Sequence, residues 1–124
     1  MTAETTSSGL RVIVCGGRDY NDYDAVFAAL DRIHAERPIQ HLWHGNSRGA
    51  DTCAHVWGMN RKREVSVHPV PAKWSMHGRR AGPLRNQKML GKGIDLVIAF
   101  PGGDGTADMV RRARKAGVEV FEIT

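Results

Sequence analysis

Apolar residues fall in two rhythms along the chain, and these predict alternating strands and helices. Leu10-Arg11-Val12-Ile13-Val14-Cys15 is a β-branched run closed by Gly16-Gly17, the pattern of a buried strand. Val26, Phe27, Leu30, Ile33 and His34 then recur at helical spacing, with Asn21 placed to cap the helix and Pro38 beyond its end. Ile39 to His44 reads as a second strand, and Ala50, Cys53, Ala54 and Trp57 form the buried stripe of a second helix. Ser47 is the expected cap of that helix, and Asp51 and His55 share another of its faces. Glu64 to Val70 predicts a third strand. Pro71 to Gly82 reads as a long connecting loop, and Pro83 opens a short helix carrying Arg85, Asn86, Lys88 and Met89. Leu96-Val97-Ile98-Ala99-Phe100 is the most apolar strand, followed by a helix from Thr106 to Ala116. In that helix Met109, Val110, Ala113 and Ala116 point inward, and Arg111, Arg112, Arg114 and Lys115 form a solvated face. Gly117 stops it, and Glu119 to Ile123 is the last strand.

Strands that alternate with crossover helices demand a mostly parallel sheet with helices on both faces, a three-layer α/β sandwich. The expected order of the five strands is 3-2-1-4-5, which sets the first and fourth side by side. Residues 10–124 then form a single domain, and residues 1–9, small and polar, a flexible tail. Ligands of such sheets sit beyond the carboxyl ends of the strands, where the glycine turns of this chain fall.

The chain of 124 residues carries 18 Lys+Arg against 13 Asp+Glu, a net charge of +5 with a pI near 9.7. That balance suits a phosphate-bearing small molecule or a nucleic acid without choosing between them. Cys15 and Cys53 have no paired spacing and read as buried free thiols in a reducing cytosol, so a cytoplasmic location is expected. No run is apolar enough for a signal core or a membrane span, and no membrane partner is expected.

The turn Pro101-Gly102-Gly103-Asp104-Gly105-Thr106 joins a buried strand to a helix N-terminus, a geometry in which free N–H groups and the helix dipole hold a phosphate. Gly16-Gly17-Arg18-Asp19-Tyr20 and Gly45-Asn46-Ser47-Arg48-Gly49-Ala50-Asp51 are two further post-strand turns. Arg18, Arg48 and Arg85 can fork onto phosphate, while Asp19, Asp51, Asp104 and Asp108 can accept ribose hydroxyls or orient those arginines. Tyr20 and Trp74 offer flat faces for a base. Phosphate grip, hydroxyl acceptors and stacking surface together point to a nucleotide. Gly45-Asn46-Ser47-Arg48-Gly49 matches the G-x-S-x-G nucleophile pattern, but no histidine follows His77 to complete a triad in the required order. His41 and His44, three apart on a strand, point to opposite faces, so no metal site is expected. Neither a P-loop nor a G-x-G-x-x-G fingerprint is present.

Four ordered motifs carry a family resemblance: Gly16-Gly17-Arg18-Asp19-Tyr20, His44-Gly45-x-x-Arg48-Gly49-Ala50-Asp51, Gly82-Pro83-x-Arg85-Asn86-x-x-Met89 and Phe100-Pro101-Gly102-Gly103-x-Gly105-Thr106-x-Asp108-Met109. From Leu10 onward the chain resembles the YspA-type, cpYpsA-related branch of the SLOG superfamily. The resemblance implies a Rossmann-like domain of bacteria or their phages that binds a nucleotide or ADP-ribose-like ligand, as a sensor or a processing protein, with no further cofactor required. It implies binding through Gly16, Gly17, Arg18, Asp19, Gly45, Ser47, Arg48, Gly49, Asp51, Arg85, Asn86 and the turn Pro101 to Thr106. The Pro101-to-Thr106 turn is also similar to that of the LOG (lysine-decarboxylase-like) phosphoribohydrolases, whose motif continues to a glutamate where this chain has Met109. An N-glycosidic hydrolase would therefore rest on Arg85 and Asp108. Gly45-x-x-Arg48-Gly49-Ala50-Asp51-x-x-Ala54-His55 resembles the DNA-processing protein DprA, which implies single-stranded nucleic acid as a partner, held by Lys73, Arg79 and Arg80 with Trp74 as a stacking platform. Related folds often pair through their helices, so a homodimer is expected.

Overall fold

The computed structural model describes residues 9–124; residues 1–8 of the expected tail lie outside it. The elements run β1 (Leu10–Cys15), α1 (Tyr23–Glu36), β2 (Ile39–His44), α2 (Ala50–Met59), β3 (Ser66–Pro69), α3 (Trp74–His77), a 3-10 turn (Gly78–Arg80), α4 (Ala81–Leu90), β4 (Leu96–Ala99), α5 (Asp104–Lys115) and β5 (Glu119–Glu122). The five strands form one sheet in the order β3-β2-β1-β4-β5, every pair parallel, as the crossover spacing predicts.

Alternate strand residues feed two cores, because successive side chains leave a strand on opposite faces. Val12, Val14, Leu42 and Ile98 meet Leu30 of α1 and Trp57 of α2. Ile13, Trp43 and Val97 meet Met89 of α4 and Met109 and Ala113 of α5 on the other face. No helix among the described residues is long and apolar enough to cross a membrane.

Several local expectations change. Asp22, not Asn21, caps α1: its Oδ1 accepts from Ala25 N at 3.0 Å. β3 is shorter than expected because the amides of Glu64 and Val65 both donate to Arg61 O, holding those residues in a turn. The connection from Pro71 is not a plain loop. The amides of Met76 and His77 close a helical turn on Lys73 O, Gly78 breaks it with φ +57°, and α4 begins at Ala81. Pro83 lies in the first turn of α4, where its missing N–H forfeits no helical bond. Ala116, expected inward, is exposed at the C-cap of α5, since the chain turns there and Val118 N reaches back to Ala113 O.

Candidate functional site

The turns after β1, β2 and β4 pack on one another backbone to backbone. Gly17 N donates to Pro101 O at 2.8 Å, and Gly17 O accepts from Tyr20 N and Ala50 N, each at 3.2 Å. This close approach explains part of the glycine content. A Cβ on Gly102 would lie 2.7 Å from Gly17 N, one on Gly16 2.5 Å from Ala50 Cβ, and one on Gly49 would strike Gly17 O. Gly49 also has φ +80°, a region that side chains rarely adopt. Gly103 and Gly105 differ, because a Cβ on either meets nothing within 4 Å.

These turns enclose a cleft of about 700 Å³ at the carboxyl ends of β1, β2 and β4. Of the residues singled out in the sequence, it gathers Gly16, Gly17, Arg18, Gly45, Ser47, Asp51, Trp74, Arg79, Arg85, Asn86, Asp108 and Gly103 through Thr106. The N-cap of α5 is Gly103, with no side chain to cap the helix, and Ala107 N is already bonded to Gly103 O. The amides of the residues between therefore remain for a ligand. Trp74, 48% exposed, carries the Arg18 guanidinium 5.7 Å from its ring centroid.

Other expected residues lie elsewhere. Tyr20 stacks on Phe100 at 5.6 Å between centroids and packs against the core, so its ring serves the fold. Asp19 and Arg48 pair with each other at 3.2 Å, both largely exposed and outside the cleft lining. Gly49 is buried between turns. Pro101 and Gly102 line a second hollow, of about 680 Å³, beside α5 and β5. Lys73 and Arg80 do not line the cleft.

A continuous polar network backs one wall. Arg85 donates through Nη1 to Gly45 O at 2.7 Å and through Nε to Asn86 Oδ1 at 3.0 Å. Asn86 Nδ2 donates to Gly105 O at 3.2 Å and to Asp108 Oδ2 at 3.0 Å. Arg111 Nη2 and Arg112 Nε complete the Asp108 carboxylate at 2.7 and 2.9 Å. The arginine face of α5 is thus not simply solvated: two of its guanidiniums fold back onto Asp108, and Arg114 pairs with Glu122. Met109, at the position of the LOG glutamate, is fully buried in the core. Burial lowers the Arg85 guanidinium from its usual value, against the pull of Asp51, but an arginine remains cationic.

Ser47 does not cap α2. Its amide and that of Gly45 instead donate to Asp51 Oδ2, at 3.2 and 3.1 Å, and the N-cap is Gly49. His55, four residues after Asp51 in α2, meets His44 at 2.9 Å between Nδ1 and Nε2. Because Asn46 N donates to His44 Nδ1, the His44 proton sits on Nε2. Cys15, expected in the core, is only half-buried and lines the cleft. Burial and then the neighbouring Asp51 push its thiol up to about 12, so it is protonated at neutral pH and is no nucleophile. Its place at the last position of β1, directly before Gly16, is the signal that could have put it at the cleft. Arg111 is another lining residue missed, because a helical wheel does not show which outward arginine bends back.

Two of these groups oppose each other in acid. Burial, then His55 and Arg85, lower His44 from 6.5 to about 4, so the unfolded chain binds more protons in that window and stability falls as pH drops through it. Burial raises Asp51 from 3.8 to about 6 against its two amide donors and Arg85, so the folded chain binds more protons there and stability falls as pH rises. Asp51→Asn removes only the second slope. Acidification from pH 6.5 to 4 should then cost the variant more than the parent, by about 2–3 kcal/mol in urea unfolding. Equal acid losses in the two proteins would refute the assignment.

A parallel five-stranded sheet, helices on both faces and a cleft at the carboxyl edge define an α/β domain of the Rossmann-like class. Comparison with known proteins narrows the class: the chain belongs to the YspA, cpYpsA-related SLOG family, whose pattern residues 10–77 match. It is also similar to the Gene 61 protein of Mycobacterium phage D29, with 38% identity over 117 residues, covering 90% of this chain and 94% of that protein. No solved structure matches the chain at a significant level.

Proposed function

We propose that this SLOG domain binds a nucleotide or nucleotide-derived ligand in the cleft, with a phosphate against the N-terminus of α5. One observation carries the reading: Gly103 and Gly105 have open space where a Cβ would stand, at an uncapped helix start facing a cleft lined by Arg18, Arg79 and Arg85. Glycines explained by packing would be crowded, as Gly16 and Gly102 are. Binding is favoured over N-glycosidic hydrolysis by Asp108, because both of its carboxylate oxygens are already occupied by donors. The nucleic-acid reading has one observation in its favour: exposed Trp74, with Arg18 on its ring and Arg79 nearby in the lining, stands at the same cleft.

A thermal-shift screen separates these readings. The panel is AMP, ATP, NAD, ADP-ribose, cyclic nucleotides and a short single-stranded oligonucleotide, each at low and high salt. A ligand held by the native state must raise the melting temperature. The expected result is a shift with a small nucleotide that is lost in Arg85→Ala. A shift with the oligonucleotide alone, fading with salt, would transfer the cleft to nucleic acid. No shift with any probe would overturn nucleotide binding.

A further inference from the structure

We infer that Asp51 contacts the ligand in its protonated form, donating from Oδ1 to an acceptor atom of the bound nucleotide, so that binding takes up a proton. The inference rests on the nucleotide reading above and adds a chemical requirement to it. Asp51 is only 6% exposed, yet it is part of the cleft lining. Its two oxygens are not equivalent. Oδ2 accepts from the amides of Gly45 and Ser47, while Oδ1 has no hydrogen-bond partner among the described residues, and the carboxylate forms no ion pair there. A buried oxygen left unpaired is costly. Two N–H donors on Oδ2 leave Oδ1 as the place for a proton.

The charged and titratable groups that act on this carboxyl come from three places: Arg85 from α4, Arg18 from the turn after β1 and Cys15 from the end of β1. Neither arginine comes within ion-pair distance of it, and Cys15 carries no charge at neutral pH. Burial outweighs these partners and already lifts the carboxyl to about 6. An anionic ligand entering the same cleft adds a like charge and lifts it further. The neutral acid would then supply a donor where an ionised one would only repel.

Asp51→Asn supplies the test, since the amide oxygen can keep both backbone donors while its NH₂ mimics the protonated acid at every pH. Affinities of AMP and of inorganic pyrophosphate are measured by calorimetry between about pH 5.5 and 8.5 in both proteins; the probes titrate near pH 6 themselves, and the ratio of the two proteins cancels that contribution. The expected result is that parent affinity, relative to the variant, falls about tenfold per pH unit above about pH 6.5. Proton uptake on binding, read from buffers of different ionisation enthalpy, is expected to be greater in the parent than in the variant, by up to about one proton. Linkage with pyrophosphate would place the acceptor on a phosphate oxygen, and linkage with AMP alone would place it on the sugar or base. A ratio that does not change with pH would overturn the inference and leave nucleotide binding standing. No binding of either probe to either protein would overturn both. Should the variant not fold, the amide resonances of Gly45 and Ser47 report the same carboxyl in the parent. Their titration midpoint must rise on saturation with AMP, and an unmoved midpoint overturns the inference.

Discussion

Gly49→Ala should lower the melting temperature by roughly 10–20 °C, the equivalent of about 2–4 kcal/mol for a domain of this size. The methyl group is driven into the carbonyl of Gly17 while the backbone keeps a φ of +80°. Neither fault can relax alone, because Gly17 O is also the acceptor for Ala50 N, the first residue of α2. Gly102→Ala belongs with it, its Cβ only 2.7 Å from Gly17 N and 2.9 Å from the Gly16 carbonyl carbon. Gly105→Ala is the counterpart. It lies in the first turn of α5 with open space around it, so alanine should leave stability unchanged or raise it by up to about 1 kcal/mol. Its cost should instead appear in ligand affinity, because the methyl group stands where a phosphate would approach. Scanning calorimetry with and without nucleotide separates the two kinds of glycine. A Gly105→Ala protein that binds like the parent would remove the α5 N-terminus from the site.

Asp108→Ala carries the second large effect, a loss of about 2–4 kcal/mol, since a buried carboxylate with three donors is withdrawn from them. Arg111 is mostly exposed and can return to water, which keeps the cost below that of a fully buried pair. Asp108→Asn should be nearly as damaging, because one carboxylate oxygen becomes an NH₂ group facing other donors. Asn86 would then keep only Gly105 O as its hold on α5, which loosens the Asn86 Oδ1 acceptor of Arg85. Nucleotide affinity should therefore fall with stability in both variants. A general acid would behave differently, the isosteric amide abolishing turnover while urea unfolding stayed at the parental midpoint. That outcome would reinstate Asp108 as a reacting group.

The strands were legible in the sequence because a parallel strand buried on both faces must be apolar nearly throughout, as Leu96 to Phe100 is. Crossover spacing then made the sheet parallel, and glycine turns after three strands placed the cleft on the carboxyl edge. The motifs identified the family for the same reason: their residues cluster in those turns, close along the chain. The sequence by itself thus determined the architecture, the edge that bears the cleft and most of the residues lining it. Tertiary structure decided what each of those residues does. Gly102 and Gly105 are alike in one turn of sequence, but only Gly102 has the turn after β1 packed against it. Tyr20 offers a flat face until Phe100, eighty positions later, covers it. Asp108 reads as a free acid until Asn86 arrives from α4 and two arginines of its own helix fold back. Asp51 reads as an acceptor for ribose hydroxyls or an orienter of the arginines until the loop wraps two amides around one of its oxygens and leaves the other without a donor among the described residues. Local pattern sets secondary structure because it depends on neighbours in the chain. The charge, steric freedom and donor count of a site residue depend on neighbours in space, which appear only when the chain has folded.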